Sequence, residues 1–478
     1  MRLRNPLIAL AVLAGLTVYV YFVEIRGGEK SRKAKEASEH LLSVPAEEVS
    51  ELVLTHGGSP VRLVRQAGAW KIVEPVPADP EADAATRLLQ AVNDLRISRN
   101  LGKVPDLKPY NLAAPPVRLV IRFLKAKPEQ KVILGDDAPT GGGIYARPGD
   151  AGPVVVVTGA EPIRSATLFS LRDKTFLKFD PGRLTALKLE RGKEEIDLSR
   201  VGGKWRLTAP VLAPGDDGTI SDLVYALERL TVTEFLEAHP GKASLSTRGL
   251  DPPRIRVLLS GEEWPGEKEM AFGNGASGSI SALRPGTGEL IQVSDSVDSK
   301  LKSGAEALRK KDLLPFSRYQ ISRVRITGIE PGPLALEEKK EGGWRRTEPS
   351  PADLDEDSVD LLLRNLTDLK ADGYLDRPEG DLSRLGLVKP TMRLEFWEKD
   401  KKEGAPAALE IGREDGKGKV AMKDSSWPSV LMVDATAWRT ASAQATKVAR
   451  ETGKAVAKSS PASSPAPSMA PSARTPRR

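Results

Sequence analysis

The chain has 478 residues, enough for about three domains at a typical size of roughly 150 residues each. It contains no cysteine, which excludes disulfides, thiol catalysis and cysteine metal sites. Of the net charge of +7, residues 1–35 carry +5 and residues 446–478 carry +6, which leaves the middle at about −4 and predicts no nucleic-acid partner.

The N-terminus predicts a membrane anchor. No charged residue occurs from Asn5 to Val23, and at about 1.5 Å per helical residue this stretch just covers a hydrocarbon core of about 30 Å. A cleaved secretory signal is the alternative, because Arg2 and Arg4 form a basic start. The segment FVEIRGGEKSRK that follows has no small-x-small cleavage pattern, so we expect an uncleaved, single-pass transmembrane helix.

Two arguments disagree on the side of the membrane that the rest of the chain occupies. Basic residues after the helix outnumber Arg2 and Arg4 before it, which by the count of flanking positive charges favours the cytoplasm. An N-terminal anchor followed by a long folded region is, in contrast, the usual way to hold a domain outside the membrane. We expect a bacterial inner-membrane protein with the bulk of its chain in the periplasm.

A six-residue motif from Trp to Pro occurs three times, as WKIVEP, WRLTAP and WRRTEP. Apolar residues follow each Trp by 18, 22 and 25 positions, a spacing that keeps side chains on one face of an α-helix. Each motif is therefore predicted to end a strand at its Pro and to lead into an amphipathic helix. The structural repeat anchors are Trp70, Pro75, Trp205, Pro210, Trp344 and Pro349; the helical positions are Leu88, Val92, Leu95, Leu223, Leu227, Leu230, Leu362, Leu366 and Leu369.

Alternating apolar residues predict a hairpin before each Trp motif and a meander of strands after each helix. One strand of each meander ends in a glycine: Gly135, Gly273 or Gly412. The predicted fold class is α+β, with an N-terminal transmembrane helix and three tandem repeats, each an antiparallel sheet with one packed amphipathic helix. The predicted segments are an anchor with basic flank (1–26), a linker (27–46), repeat units 1 (47–180), 2 (181–317) and 3 (318–445), and a disordered basic tail rich in Ser, Pro and Ala (446–478).

Carboxylates precede each predicted helix, in DPEAD, GDDGTISD and ADLDEDS. The last cluster begins like a calcium loop, but Ser358 stands where such a loop needs Gly and Arg364 where it needs Glu. We expect all three clusters to cap helix N-termini instead. The three histidines lie in no metal-ligand spacing, and no nucleophile motif occurs, so we predict no metal, no cofactor and no catalytic residue.

Two tryptophans outside the motif are candidate partner contacts. Trp264 in EEWPGE and Trp427 in SSWPS are predicted to lie in loops, where a large aromatic ring can contact a protein or a glycan. Partly buried packing is the alternative.

The motifs together resemble those of the bacterial domain-of-unknown-function family 4340, over roughly residues 45–440. Unit 1 carries WKIVEP, YNLAAP, VILGDDAP, YAR (145–147) and LRDK (171–174). Unit 2 keeps WRLTAP, GLDPP and the variant LRKKD (308–312), whereas unit 3 keeps WRRTEP, GLVKP and LEIG but lacks an LRDK-like end.

The resemblance implies a membrane-anchored, non-enzymatic envelope protein, often encoded beside ABC-type export systems similar to those linked with gliding motility. It therefore implies protein partners in an envelope or ABC-type transport complex, where the chain is an accessory or scaffold. A module that binds an envelope glycan is the alternative function.

Overall fold

The computed structural model describes residues 39–139, 141–378, 380–399 and 404–452. Within these ranges, no helix is both long enough and apolar enough to span a bilayer. The predicted transmembrane helix (1–26) and residues 453–478 of the predicted tail lie outside the described residues.

Repeat 1 forms an eight-stranded antiparallel sheet in the order β3-β2-β1-β5-β6-β7-β8-β4. Helix α1 packs on it, because its apolar face shares one buried core with the strands. The elements are β1 Val49–His56, β2 Val61–Gln66, β3 Ala69–Glu74, α1 Ala84–Asn93, β4 Arg96–Gly102, β5 Val117–Phe123, β6 Gln130–Asp137, β7 Ile144–Pro148, β8 Val154–Thr158, α2 Glu161–Arg164 and α3 Leu168–Leu171.

Repeat 2 has a nine-stranded sheet in the order β12-β11-β10-β9-β14-β15-β16-β17-β13. Its elements are β9 Leu184–Arg191, β10 Glu194–Val201, β11 Lys204–Ala209, β12 Ala213–Pro214, α4 Asp217–Glu228, β13 Val232–Glu237, α5 Lys242–Thr247, β14 Ile255–Gly261, β15 Trp264–Ala276, β16 Ser279–Leu283, β17 Leu290–Ser294 and α6 Asp298–Leu301.

Repeat 3 has the same nine-stranded order, β21-β20-β19-β18-β23-β24-β25-β26-β22, and adds a C-terminal helix. Its elements are β18 Ile321–Thr327, β19 Leu334–Glu338, β20 Trp344–Glu348, β21 Ala352–Asp353, α7 Glu356–Thr367, β22 Ala371–Leu375, β23 Met392–Glu398, β24 Ala407–Glu414, β25 Lys419–Asp424, β26 Val430–Asp434 and α8 Ala435–Arg450.

The predicted repeats are confirmed as three antiparallel sheets of matching strand order. All nine predicted helical positions are buried, although Leu95, Leu230 and Leu369 lie just beyond the ends of α1, α4 and α7. Strands nevertheless dominate, so the described chain is mostly β rather than evenly α+β. The reason is that each sheet has eight or nine strands, whereas repeats 1 and 2 have one helix longer than six residues and repeat 3 has two.

The folded region begins earlier and ends later than the predicted repeat boundaries. Leu41 and Val44, in the predicted linker, are buried in the core of repeat 1. Residues 446–450, in the predicted tail, continue helix α8, and Val448 and Ala449 are buried in the core of repeat 3.

By contacts, the chain divides into two compact units. Unit A comprises the described residues up to Lys178 with 229–252 and 273–294, and unit B comprises 179–228, 253–272 and the described residues from Asp295. The sites below each lie within one of these units.

Candidate functional site

The Trp motif has the structural role that its pattern predicts. Strands β3, β11 and β20 end at Glu74, Ala209 and Glu348, each directly before the motif's proline, and all three of these X–Pro bonds are cis. Trp205 is buried, whereas Trp70 and Trp344 are partly buried and pack against the cores of repeats 1 and 3.

The capping prediction is correct for two of the three helices. Asp216 accepts a hydrogen bond from the Thr219 N–H (2.7 Å) at the start of α4, and Asp355 accepts one from the Ser358 N–H (3.3 Å) at the start of α7. It is wrong for α1, where Asp83 has a left-handed backbone (φ 60°) and makes no capping hydrogen bond with its side chain. Among the described residues, no group of three or more His, Asp or Glu side chains is placed to hold a metal ion.

The two candidate contact tryptophans have different surroundings. Trp264 does not lie in a loop: it opens strand β15, its indole N–H donates to the Leu259 carbonyl (3.4 Å), and Lys268 lies 4.3 Å from its ring centroid. The ring fits there because Gly261 has no side chain: a Cβ on this glycine would lie 2.7 Å from the Trp264 ring. Trp427 lies in the turn between β25 and β26, as predicted, and is partly buried.

The LRDK element of repeat 1 places a buried arginine against repeat 2. Arg172 is 4% exposed, and its guanidinium lies 3.5 Å from the ring centroid of Phe235 in β13. The same group donates to the Glu289 carboxylate at 2.5 Å, and Glu289 is itself buried. Arg284 adds a second cation, 3.4 Å from Glu289 and 3.1 Å from Asp173.

The variant element of repeat 2 (308–312) likewise places a buried arginine against repeat 3. Arg309 is 4% exposed, lies 3.7 Å from the ring centroid of Tyr374 in β22, and donates to Asp376 (2.7 Å) and to the hydroxyl of Ser429 (2.9 Å). The Tyr374 hydroxyl donates to the Lys310 carbonyl (3.1 Å), and burial raises the pKa of this tyrosine. Both arginines lie within recognisable sequence motifs, but the motifs by themselves indicate no role for them.

We call each contact between a buried arginine of one repeat and the aromatic ring of the next repeat a joint. Alignment of the repeats reveals a signal for these joints in the sequence. Phe235 and Tyr374 stand 30 positions after Trp205 and Trp344, and the same position after Trp70 holds Asn100. The aromatic ring is thus present in the two repeats that follow an arginine element and absent from the first repeat, which follows none.

An open cleft lies beside the second joint, wholly within unit B. Its volume is about 390 Å³, and the Trp strand of repeat 2 and the β25–β26 turn of repeat 3 both line it. Trp205, Tyr374 and Trp427 supply aromatic surface, and Leu313, Leu314 and Leu431 supply aliphatic surface. Arg206 lies 5.7 Å from the ring centroid of Trp427.

Charge in this cleft is not balanced. Asp217 is paired with Lys204 (3.0 Å) and also accepts the Trp205 N–H (2.9 Å), and Asp312 is paired with Lys370. Within the described chain, Arg206 and Lys310 have no carboxylate at ion-pair distance, and Asp424, which accepts the Ser426 N–H (2.8 Å), is the one lining carboxylate without an ion pair. The cleft therefore combines apolar surface with a net positive rim.

The fold and these joints define a class of protein: a tandem array of antiparallel-sheet repeats, each joined to the next by a buried arginine. The family model described as "Domain of unknown function (DUF4340)" matches residues 117–204, 205–375 and 344–458. The chain belongs to this family, as its motifs indicate. No curated protein matches the chain.

Proposed function

We propose that the protein is a non-enzymatic accessory or scaffold subunit of a bacterial envelope complex, associated with an ABC-type transporter. The family resemblance suggests the complex, and the predicted anchor suggests the inner membrane, with the repeats in the periplasm. The main structural support for this proposal is the cleft beside the Arg309 joint, where we place the docking site for a partner protein.

The composition of the cleft favours a protein partner. Tryptophan, tyrosine and arginine are the residues that most often dominate binding energy at protein interfaces, and the cleft brings all three types together. Because Arg206 and Lys310 lack carboxylate partners among the described residues, the complementary segment is an acidic one with a large apolar side chain. Burial of that side chain against Trp427 and Leu314 supplies affinity, and the cations supply orientation.

The test is a mild-detergent affinity purification of the full-length protein from its own membrane, with the co-purifying chains identified and quantified. A permease and an ATPase at amounts comparable to the protein are expected. A variant with Trp427→Ala and Arg206→Glu is expected to lose them, whereas Trp264→Ala, which removes an equally large ring outside the cleft, is expected to keep them.

Two results contradict the proposal. Recovery of the protein without stoichiometric transporter subunits removes the accessory function and favours the alternative class, a glycan-binding module. Equal recovery by the cleft variant and the wild type removes the cleft as the docking site.

A further inference from the structure

The outer face of each sheet carries a small second packing site, formed between the strand meander and the loop that contains the repeated Leu-x-x-Pro. Its position is fixed by the repeat glycines. In each repeat a Cβ on the glycine of the meander would overlap a backbone carbonyl oxygen of that loop, at Tyr110, Arg248 and Leu385 respectively. These three loop residues are therefore structurally equivalent.

Repeats 1 and 3 fill this site with aromatic or aliphatic side chains. In repeat 1, Tyr110 contacts Tyr145 edge to face, with ring centroids 4.8 Å apart, inside a cluster with Leu112, Ile133 and Val154. In repeat 3, the equivalent pair is Leu385 and Ala421, inside a cluster with Leu387, Val430 and Met432.

Repeat 2 breaks this pattern. The strand registers place Ser281 opposite Gln292, where repeat 1 has Tyr145 opposite Val156 and repeat 3 has Ala421 opposite Met432. The loop position is Arg248, whose guanidinium reaches the Ser281 hydroxyl at 3.5 Å. Repeat 2 thus has non-aromatic polar side chains at all three positions where the sister repeats have aromatic or aliphatic ones.

The result is an open pocket of about 560 Å³ in repeat 2, within unit A. This volume lies in the range of sites for small ligands, roughly 300–1,000 Å³. Its polar lining side chains are Ser244, Thr247, Arg248, Asn274, Ser279, Ser281 and Gln292. The Ser244 hydroxyl already donates to the Glu237 carboxylate (2.6 Å). Ser281 is only 5% exposed, and its small hydroxyl stands where repeat 1 has the ring of Tyr145 and repeat 3 has Ala421.

The pocket has one charge and many neutral hydrogen-bonding groups. No Asp or Glu is among its described lining residues, and Arg248 has no ion-pair partner in the described ranges. Ser279 donates to the side-chain oxygen of Gln292 (2.8 Å), which leaves the amide N–H groups of that glutamine available to a ligand. An unpaired guanidinium suits a carboxylate, and hydroxyls and amides that both donate and accept suit a polyhydroxylated ring.

We propose that this pocket of repeat 2 binds a sugar acid, a pyranose that carries a carboxylate, with Arg248 on the carboxylate and Ser281, Gln292 and Asn274 on ring hydroxyls. The site is separate from the docking cleft and shares no lining residue with it. The two proposals therefore stand or fall independently.

The experiment is calorimetric titration of the full-length protein in mild detergent with glucuronate, with glucose and inorganic phosphate as separate ligands. Glucuronate is expected to bind at one site, at least tenfold more tightly than glucose, because glucose lacks the carboxylate, and than phosphate, because phosphate has no ring hydroxyls. Arg248→Gln is expected to weaken glucuronate binding at least tenfold. Arg384→Gln, which alters an exposed arginine of repeat 3, is expected to leave it unchanged.

A second variant keeps the test valid if single changes disturb folding. Arg248→Leu, Ser281→Ala and Gln292→Met together install the three residues that repeat 3 has at these positions. This variant is expected to unfold at the same or a higher temperature than the wild type and to lose glucuronate binding. Any of three results would overturn the proposal. The first is that the wild type does not bind glucuronate at 10 mM, a dissociation constant that corresponds to a binding free energy on the order of 3 kcal/mol. The others are that phosphate binds as tightly as glucuronate, and that the triple variant binds glucuronate as tightly as the wild type.

Discussion

At the scale of single residues, the repeat glycines are explained by close backbone approach. Gly412 ends the apolar part of β24, and a side chain there would overlap the Leu385 carbonyl oxygen. The same oxygen accepts the Arg413 N–H at 2.6 Å, so the approach is also a hydrogen bond between the loop and the strand. Glycine is required because any Cβ would push the two backbones apart.

Gly412→Ala is expected to lower the free energy of unfolding by about 2 kcal/mol, through overpacking and loss of this hydrogen bond. Gly416→Ala is the matched control, because a Cβ at that turn position would meet nothing within 4 Å. Urea denaturation followed by tryptophan fluorescence measures both. Equal midpoints for the two variants would contradict the packing argument.

The buried arginines are the second residue-scale feature. Arg172 and Glu289 are both almost fully buried, so each carboxylate or guanidinium depends on its partner for compensation of its lost hydration. Stacking of Arg172 on Phe235 adds a cation–π contact.

Arg172→Met is expected to destabilise the protein by about 3 kcal/mol, because it leaves the Glu289 carboxylate buried with weaker partners. Arg172→Met with Glu289→Leu is expected to recover part of this loss, since no buried charge is then left without its main partner. Arg183→Met is the control, because its pair with Glu262 is exposed and screened by solvent, so its loss is expected to leave stability nearly unchanged. A double variant less stable than Arg172→Met alone would contradict this account, and would show that the remaining contacts of Glu289 with Arg284 and Thr287 stabilise the fold.

At the scale of elements, the three repeats differ in what covers the segment before the helix. In repeats 1 and 2 the arginine element covers this segment and is hydrogen-bonded to it. The Leu171 carbonyl accepts the Glu81 N–H (2.9 Å) in repeat 1, and the Leu308 carbonyl accepts the Asp216 N–H (2.8 Å) in repeat 2. Repeat 3 has no such element, and the end of helix α8 takes the position, where the Glu451 carboxylate accepts the Asp355 N–H (3.3 Å).

Helix α8 is held at both ends. Asp434 accepts the Thr436 and Ala437 N–H groups, both at 2.9 Å, and these hydrogen bonds hold the pKa of its carboxyl below the usual value. At the other end, the buried guanidinium of Arg346 donates to the carbonyls of Val448, Ala449 and Glu451 at 2.8–2.9 Å. A cation there satisfies carbonyls that have no partner within the helix and suits the negative end of its dipole.

Truncation after residue 445 is therefore expected to destabilise repeat 3, because it removes Val448 and Ala449 from the core and takes from the buried Arg346 its three carbonyl acceptors at the end of α8. Truncation after residue 452 is expected to leave stability unchanged, because it keeps all of these contacts. Thermal unfolding and limited proteolysis of the two shortened chains distinguish these outcomes. Equal stability of both chains would place the end of the fold at 445, as the sequence alone predicts.

At the scale of the whole molecule, the first and last repeats close the series. Leu41 N–H donates to Leu95 O (2.9 Å), the counterpart of the bond from Phe176 N–H to Leu230 O (3.2 Å) that joins repeat 2 to the chain before it. Segment His40–Val44 thus packs against repeat 1 in the same place where the segment that follows the preceding arginine element packs against the next repeat. Helix α8 makes the corresponding contact in repeat 3, where no arginine element follows.

Topology is a prediction for the whole molecule. Fusion of alkaline phosphatase after residue 452 is expected to give enzyme activity in the intact cell, because this reporter folds only outside the cytoplasm and the repeats are proposed to be periplasmic. A fluorescent protein that matures only in the cytoplasm, fused at the same position, is the complementary reporter and is expected to stay dark. Bright fluorescence without phosphatase activity would place the repeats in the cytoplasm, as the flanking charges favour.

The amino-acid sequence alone is enough to predict the number of repeats, the Trp–Pro strand ends, the buried helical positions and the family. Each of these depends on a local pattern, such as a period of 3.6 residues or a proline after a strand, and the repetition made the pattern visible three times. Even so, the boundaries at 46 and 446 were misplaced, because Leu41, Val44 and Val448 are buried only by partners far along the chain.

The joints, the cleft and the polar pocket form only when the chain folds, and no local pattern in the sequence predicts them. Arg172 meets Glu289 across more than a hundred residues, and the pocket of repeat 2 exists because Arg248, Ser281 and Gln292 converge from a loop and two strands. In the sequence each of these residues reads as an ordinary surface position, since solvation is the default for an isolated polar side chain. Their difference from the sister repeats has meaning only when the strand register shows that they occupy one site.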